Sequence, residues 1–277
     1  MAHGNPQAPT PTKIPGVANI IAIGSGKGGV GKTTTAVNLS IALLNLGYKV
    51  GLLDADIYGP NVPLMVGASL APKVIGQNRI EPILAHGLKV ISVGLINPGD
   101  KPLVWRGPML HSVIKQFLQQ VDWGTLDYLI VDLPPGTGDV VISLVQTVPM
   151  DGAIIVSTPS DVSLQDARKA IEMFKQVHVE VVGIIENMSN FTCPHCHHEI
   201  DIFSKGGVEK TAKQFALPYL GAVDLDPSIR KGGDNGLPVA LGGESSPSAK
   251  SFYDLAKALT KAMAAKPEND EDLIKIV

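Results

Sequence analysis

The sequence has few cysteines, no run of basic residues and no long apolar segment. A net charge of -3 without a lysine or arginine cluster argues against nucleic acid as a partner. No apolar stretch approaches the roughly 18 residues of a membrane span, so we expect no membrane partner. The two cysteines, Cys193 and Cys196, are spaced as C-x-x-C. In a reducing compartment this spacing indicates metal or redox chemistry rather than a structural disulfide.

The length of 277 residues suits one large α/β domain and is too short for two such domains, each with a substantial hydrophobic core. The N-terminal segment is rich in proline but has neither a basic nor an apolar region. Residues 1–16 are therefore expected to be a disordered arm and not a signal peptide. Residues 266–277 form an acidic tail with no helix or strand pattern. We predict a cytoplasmic protein with a single domain over residues 17–265.

The segment GKGGVGKTT, residues 26–34, fits the phosphate-binding pattern G-x-x-x-x-G-K-[ST], and we call it the phosphate loop. An apolar, strand-like run at residues 20–23 precedes it, and apolar residues at helical spacing follow it as far as Gly47. Lys32 is expected to direct its charge toward the β and γ phosphates, and Thr33 to offer its hydroxyl to Mg²⁺. The predicted nucleotide-binding residues of the loop are Gly26, Lys27, Gly28, Gly29, Val30, Gly31, Lys32, Thr33 and Thr34.

Strand-like and helix-like segments alternate along the chain, which is typical of a doubly wound, mostly parallel sheet. Strands are predicted at residues 20–23, 48–53, 91–93, 128–131, 153–156, 181–185 and 219–223. Helices are predicted behind the phosphate loop and at residues 113–121, 140–148, 164–177, 207–215 and 249–263. The cysteine pair lies in an insertion around residues 189–204.

Three carboxylates follow predicted strands. Asp54 and Asp56 come after the strand at residues 48–53, and Asp132 comes after the strand at residues 128–131. Because ligands of open α/β sheets sit at the carboxyl ends of the strands, we expect all three near the phosphate loop. Asp132 opens the segment DLPPGTGD and is expected to hold Mg²⁺ through water. The prolines and glycines of that segment suit a switch that senses the γ-phosphate.

The cysteine pair allows three interpretations. A thioredoxin-like dithiol requires the pair at a helix N-terminus early in its own fold, whereas residues 197–203 alternate here like a strand. A zinc site needs further ligands, which His195, His197 and His198 could supply. A twofold axis would instead bring two pairs together and provide the four thiolates of an iron–sulfur cluster.

The string GKGGVGKTT resembles the deviant phosphate loop, the deviant Walker A motif of SIMIBI-type P-loop NTPases, found in the MinD/ParA/nitrogenase iron protein group. In that group the first lysine, here Lys27, reaches the nucleotide bound by the other subunit of a homodimer. Over residues 16–264 the chain resembles the Mrp/ApbC group of P-loop iron–sulfur cluster carrier ATPases, related to the Nbp-type scaffolds. The resemblance rests also on DADIYGPNVP at residues 54–63, WRGPM at 105–109, DLPPGTGD at 132–139, STPSDVSLQDARKAI at 157–171 and ENMSNFTCPHC at 186–196.

The resemblance implies a homodimer that binds a labile 4Fe-4S cluster between its subunits through Cys193 and Cys196. Such a protein receives the cluster from a donor scaffold, passes it to apo-proteins and hydrolyses ATP slowly. In the resembling group the second acid of the Asp-x-Asp pair positions the attacking water. The implied catalytic residues are therefore Lys27, Lys32 and Asp56.

Asn187, after the strand at residues 181–185, is expected to hydrogen-bond the nucleotide base, and the resemblance implies that this base is adenine. A turn role is the alternative for this asparagine. Asp54 is assigned to the Mg²⁺ side of the site with Thr33 and Asp132, and an N-capping or turn role is its alternative. ATP binding is expected to reshape the dimer and so to affect the cluster.

Three other functions stay open. The first is a spatial regulator of the MinD/ParA type, which the acidic C-terminus and the absence of a basic patch oppose. The second is an ATPase with a zinc-bound C-x-x-C, because His197 and His198 stand where the resembling group commonly has glycine. The third is a reductase like the nitrogenase iron protein, whose cysteines are widely spaced. The four-cysteine N-terminal motif of the eukaryotic cytosolic branch is absent, so we expect no second cluster.

Overall fold

The structure, a computed structural model, describes residues 13–76, 79–95 and 107–266. The strands are β1 Val17–Gly24, β2 Val50–Asp54, β3 Lys73–Ile75, β4 Arg79–Glu81, β5 Ile83–Ala85, β6 Leu88–Ser92, β7 Leu126–Asp132, β8 Gly152–Ser157, β9 Val181–Asn187, β10 Phe191–Thr192, β11 Glu199–Ile200 and β12 Tyr219–Val223. The α-helices are α1 Lys32–Asn45, α2 Val62–Met65, α3 Gly107–Gln120, α4 Asp139–Thr147, α5 Asp161–Gln176, α6 Gly207–Gln214, α7 Pro227–Asp234 and α8 Pro247–Ala264.

Eight strands form one sheet in the order β12-β9-β8-β1-β7-β2-β6-β5. Neighbouring strands run parallel except β5, which is antiparallel to β6. Successive residues of β1 belong to two cores, with Ile20 and Ala22 on the face covered by α3 to α6, and Ile21 and Ile23 on the face covered by α1 and α8. Both faces are buried, and this explains the continuous apolar run at residues 20–23. The predicted doubly wound, mostly parallel sheet is confirmed.

The predicted alternation of strand and helix is wrong between residues 68 and 92. The described residues there form an antiparallel β3–β4 pair, which we call the β3–β4 hairpin, and the edge strand β5, and none of them lies in a helix. Val74 and Leu84 are exposed, so these short strands carry no clear alternation of apolar and polar residues. The strand predicted at residues 91–93 is β6, which ends one residue earlier, at Ser92. In the predicted strand-like segment at residues 197–203, only Glu199–Ile200 pairs as a strand.

Parts of some predictions lie outside the described residues. These are residues 1–12 of the expected arm, residues 267–277 of the expected tail, and Trp105 and Arg106 of the WRGPM segment. Among the helices that are described, none has both the length and the apolar character needed to cross a bilayer.

The carboxyl ends of the central strands bring the predicted site residues to one edge of the sheet. In the β2–β7 pair, Asp54 stands opposite Asp132, and in the β1–β7 pair Ile23 stands opposite the same aspartate. The N–H of Ala55 donates to the carbonyl of Asp132 at 2.9 Å, and the N–H of Leu133 donates to that of Ile23 at 3.1 Å. The segments that follow β1, β2 and β7 therefore leave the sheet side by side.

Candidate functional site

The phosphate loop leads from β1 into α1 and requires glycine for two different reasons. Gly29 and Gly31 have φ angles of 82° and 83°, in the left-handed region that residues with a side chain avoid. Gly26 instead packs against α5 so closely that a Cβ would lie 2.1 Å from the carbonyl carbon of Asp166. Val30 is buried in the core and anchors the loop. Helix α5, which carries most of the STPSDVSLQDARKAI segment, is thus the support on which the loop rests.

Lys32 and Thr33, at the start of α1, contact the carboxylates predicted to converge on the loop. The Nζ of Lys32 lies 2.7 Å from Oδ1 of Asp132 and 3.4 Å from Oδ2 of Asp56. The hydroxyl of Thr33 donates to Oδ2 of Asp132 at 2.7 Å. Lys32, Asp56 and Asp132 are all buried. Burial raises the pKa of Asp132, and the ammonium of Lys32 opposes that rise.

Asp54 is also buried, but its oxygens face the chain that follows β2. Its Oδ1 accepts the N–H of Asp56 at 3.1 Å, and its Oδ2 accepts the hydroxyl of Ser92 at 2.8 Å and the N–H of Val62 at 3.3 Å. Burial, and then the charge of Asp132, raises the pKa of Asp54 to about 8. These contacts orient the segment that holds Asp56. They favour the turn role for Asp54 over the Mg²⁺ role.

The segment after Asp132, proposed above as a switch, is tied to the phosphate loop. The N–H of Gly136 donates to the carbonyl of Ser25 at 2.9 Å. Gly136 has a φ of 94°, and Gly138 precedes the first residue of α4. A displacement of this segment would therefore shift the phosphate loop through that hydrogen bond.

Asn187, the last residue of β9, contacts the phosphate loop from the other side. Its Nδ2 donates to the carbonyl of Val30 at 2.8 Å, and a Cβ on Gly31 would lie only 2.0 Å from the same Nδ2. Asn187 also lines a cavity of about 430 Å³ together with Thr33 and Thr34. Because Gly31, Thr33 and Thr34 also line it, the cavity adjoins the phosphate loop.

Another part of the cavity lining is formed by the chain from the end of β12 into α7, a helix that the sequence did not predict. Asp224, Asp226, Ile229 and Arg230 line it. Asp226 caps α7 by accepting the N–H of Ser228 at 2.7 Å. The order Asp-Pro-Ser is a typical helix start, with a capping acid and proline in the first turn, and could have revealed this helix.

Lys27 does not join the cluster of charges around Lys32. Its carbonyl accepts the hydroxyl of Ser25 at 3.0 Å, and the residue is half-buried. Within the part of the chain that the structure describes, the ion pairs do not include the ammonium of Lys27. Its predicted contact with a nucleotide in another subunit stays a prediction.

The cysteine pair lies in the turn between β10 and β11, which we call the cysteine hairpin, residues 191–200. Cys193 is half-buried and Cys196 is exposed. The N–H of Cys193 donates to the carbonyl of His198 at 3.0 Å, and the N–H of His197 donates to the carbonyl of Cys193 at 2.9 Å. The backbone N–H groups of Cys196 and His195, together with the thiol of Cys196, lower the pKa of Cys193. The hairpin thus favours a thiolate at Cys193.

The histidines beside the pair do not complete a metal site within one chain. Among the described residues, no group of three or more His, Cys, Asp or Glu is placed to hold a metal ion. His197 has a φ of 56°, in the left-handed region that glycine adopts with less strain than histidine does. The described part of one chain therefore offers the two thiols alone.

Comparison with known proteins shows the family of this chain. A family model described as ParA: NUBPL iron-transfer P-loop NTPase matches residues 16–260. An iron-sulfur cluster carrier protein of Synechocystis sp. is 52% identical over 248 residues, which are 88% of this chain and 70% of that protein.

Two solved structures are similar in fold. The nucleotide-binding protein of Archaeoglobus fulgidus, in complex with ADP, is 34% identical with a TM-score of 0.75, covering 87% of this chain and 94% of that one. The septum site-determining protein MinD of Pyrococcus horikoshii, complexed with Mg-ADP, is 25% identical with a TM-score of 0.65, covering 91% of this chain and 99% of that one. The family match includes the phosphate loop, Asp132, Asn187 and the cysteine hairpin. The chain belongs to the family of NUBPL iron-transfer P-loop NTPases.

Proposed function

We propose that this chain is an ATP-hydrolysing iron–sulfur cluster carrier. Two copies assemble a labile 4Fe-4S cluster between them and transfer it to apo-proteins. The proposal is carried by one observation: a phosphate loop whose Lys32 contacts Asp56 and Asp132 occurs in the same domain as a half-buried and an exposed thiol that lack further metal ligands among the described residues. The name of the Synechocystis relative supports the same cargo.

The nucleotide chemistry follows from the cluster of charges at the loop. Lys32 neutralises the charge that develops on the β and γ phosphates, and the N–H groups of the loop cradle them. Asp56 lies beside Lys32 and orients a water whose oxygen bonds to the γ phosphorus as the bond to the β phosphate oxygen breaks. ADP and inorganic phosphate leave. Asn187 borders the cavity beside the loop and provides an amide for adenine.

A Mg²⁺ ion fits beside Thr33 and Asp132. The hydroxyl and carboxylate oxygens of these residues are 2.7 Å apart, and such hard oxygen donors are what Mg²⁺ prefers. When bound, Mg²⁺ neutralises part of the charge of the β and γ phosphates. Asp54 is not included, because its oxygens are engaged with Asp56, Val62 and Ser92.

The cargo requires a second copy of the chain. A cubane cluster takes four thiolates, and one chain provides Cys193 and Cys196. A twofold axis near the hairpin supplies the other two, and the same dimer lets Lys27 act on the nucleotide of its partner. Exposure of Cys196 leaves the cluster open to attack by the thiols of an acceptor. The thiols must stay reduced, as they do in the cytoplasm.

The test is to measure iron, zinc and acid-labile sulfide per chain, together with the particle mass, after anaerobic reconstitution. In wild type we expect about two iron and two sulfide per chain in a dimer, which is one cluster shared between two chains. The change Cys193→Ser is expected to abolish both. Transfer is then followed as activation of an apo-protein that needs a 4Fe-4S cluster.

The matched control is His197→Gly, which removes an imidazole beside the cysteines at a backbone conformation that glycine adopts without strain. We expect this variant to keep the iron and sulfide of wild type. Zinc near one per chain without sulfide, lost in His197→Gly, would instead mean a zinc site that includes the histidine.

A further inference from the structure

Glu186 is a buried carboxylate that the proposed chemistry does not use. It precedes Asn187 at the end of β9 and is only 1% exposed. Its oxygens accept hydrogen bonds from the hydroxyl of Ser189, from the N–H of Gly206 at 3.0 and 3.1 Å, and from the N–H of Val208 at 3.0 Å. The ion pairs of the described residues do not include it. Hydrogen-bond donors alone hold this carboxylate.

These donors come from both ends of the insertion that carries the cysteine hairpin. Ser189 lies where the chain leaves β9, and Gly206 is the N-cap residue of α6, where the chain returns to the domain. Between these two points, β10 and β11 pair over only two residues each. One buried side chain therefore joins the entry and the exit of an eighteen-residue segment, from 189 to 206, that includes Cys193 and Cys196.

The same end of β9 is fixed to the phosphate loop. The Nδ2 of Asn187 donates to the carbonyl of Val30, and there is no space between that Nδ2 and Gly31 for even one added carbon. Successive side chains of a strand point to opposite faces, so Asn187 faces the nucleotide cavity while Glu186 faces the insertion. A small movement of this strand end shifts both side chains together.

We propose that Glu186 is a positioning residue that couples the nucleotide site to the cysteine hairpin. A nucleotide that contacts Asn187 shifts the end of β9, and Glu186 passes the shift to both ends of the insertion. The two thiols then change their position relative to the domain. This inference rests on the proposed function, since it assigns the route by which ATP and the cluster influence each other.

The test measures the coupling as an equilibrium. The Kd of a non-hydrolysable ATP analogue is determined anaerobically for apo-protein and for cluster-loaded protein, and the ratio of the two is the coupling. By linkage the nucleotide changes cluster affinity by the same factor. We expect a ratio of about fivefold or more in wild type, in the usual range for coupled sites. We expect Glu186→Gln to bring it to within about twofold of one, because the amide cannot accept from every donor that the carboxylate satisfies.

The matched control is Asp151→Asn. The Oδ2 of Asp151 accepts the N–H of Ile20 at 2.8 Å, so this variant, like Glu186→Gln, loses a carboxylate that accepts a backbone N–H. Asp151 differs from Glu186 in its location, because it precedes β8 at the amino edge of the sheet. It is expected to keep the wild-type ratio. Ser189→Ala removes one donor to Glu186 and leaves the others, so an intermediate ratio is expected. It also serves as the test if Glu186→Gln does not fold.

Each result bears on the inference. A wild-type ratio in Glu186→Gln, or in Ser189→Ala where the first variant does not fold, overturns the role of Glu186. A ratio of one in wild-type protein that holds a full cluster also overturns it and leaves the proposed function standing. Wild-type protein that takes up no iron and sulfide overturns the proposed function itself. Loss of coupling in both Glu186→Gln and Asp151→Asn would mean general loosening of the domain and no specific route.

Discussion

Replacing Gly26 by alanine is expected to destabilise the domain much more than the same replacement at Gly29. The two glycines belong to one loop but are needed for different reasons. A Cβ on Gly26 would lie 2.1 and 2.2 Å from the carbonyl carbon and oxygen of Asp166 and 2.6 Å from the N of Ala167. All three atoms belong to the backbone of α5 and have no rotamer to adopt. A Cβ on Gly29 would have no heavy atom of the described residues within 4 Å beyond its own chain neighbours, and the φ of 82° is what opposes a side chain there.

The magnitudes follow from these two geometries. Ordinary contact begins near 3.4 Å, so Gly26→Ala forces the loop and α5 apart by more than 1 Å. Overpacking of this kind costs about 3 kcal/mol. The left-handed backbone costs Gly29→Ala about 1 kcal/mol. Alanine restricts the unfolded chain equally in both variants, so that contribution cancels between them. At about 3 °C per kcal/mol for a domain of this size, we expect Tm to fall by about 9 °C and about 3 °C.

Thermal and chemical unfolding of both variants, without nucleotide, measures the difference. Nucleotide is left out because a Cβ on either glycine could also obstruct the phosphates. The slope of the unfolding free energy against denaturant should match that of wild type in both variants, which keeps the comparison two-state. Equal Tm values for the two variants would refute the close packing of the phosphate loop on α5.

Two further predictions concern acids and bases of the site. Burial raises the pKa of Asp54 from 3.8 to about 8, so the folded chain retains a proton between these values that the unfolded chain releases. Its stabilising contribution is full below about pH 4 and is lost as pH rises to about 8. We therefore expect the free energy of unfolding of Asp54→Asn, measured by urea titration, to rise relative to that of wild type by on the order of a few kcal/mol across that pH range. A difference between the two proteins that does not change with pH would contradict the raised pKa. If Lys27 acts across the dimer, Lys27→Ala and Asp56→Asn should each lower ATP hydrolysis by about 100-fold. An equal mixture that exchanges subunits should then recover about a quarter of wild-type activity, because half of its dimers hold one complete site. No recovery in the mixture would place Lys27 in its own subunit's site.

The local pattern of apolar residues was enough to predict the strands that are buried on both faces and the helix behind the phosphate loop. The continuous apolar runs of β1 and β8 and the helical spacing behind the loop predicted strands and helices that the structure contains. The β3–β4 hairpin and β5 were missed, since their side chains are largely exposed and their pairing depends on neighbours. Helix α7 was missed although Asp226 and Pro227 mark its start.

The candidate site shows the same division. The spacing of the phosphate loop predicted the positions of Lys32 and Thr33, and the strand ends predicted that Asp132 would lie near them. The partners of Asp54 could not be predicted, because Ser92 lies 38 residues further along the chain and comes into place only when β6 pairs with β2. The residues alone left the cysteine pair open to zinc, redox and cluster chemistry, and the family resemblance favours the cluster.

The sequence by itself determined the fold class, the phosphate loop and the presence of a thiol pair, because each depends on residues close together in the chain. Only the tertiary structure decided how these parts are joined. It places a cation from α1 between acids from β7 and the chain after β2, rests Gly26 on α5, and closes both ends of the cysteine insertion on Glu186. Such contacts depend on which strands become neighbours, and strand order is a property of the whole packed sheet.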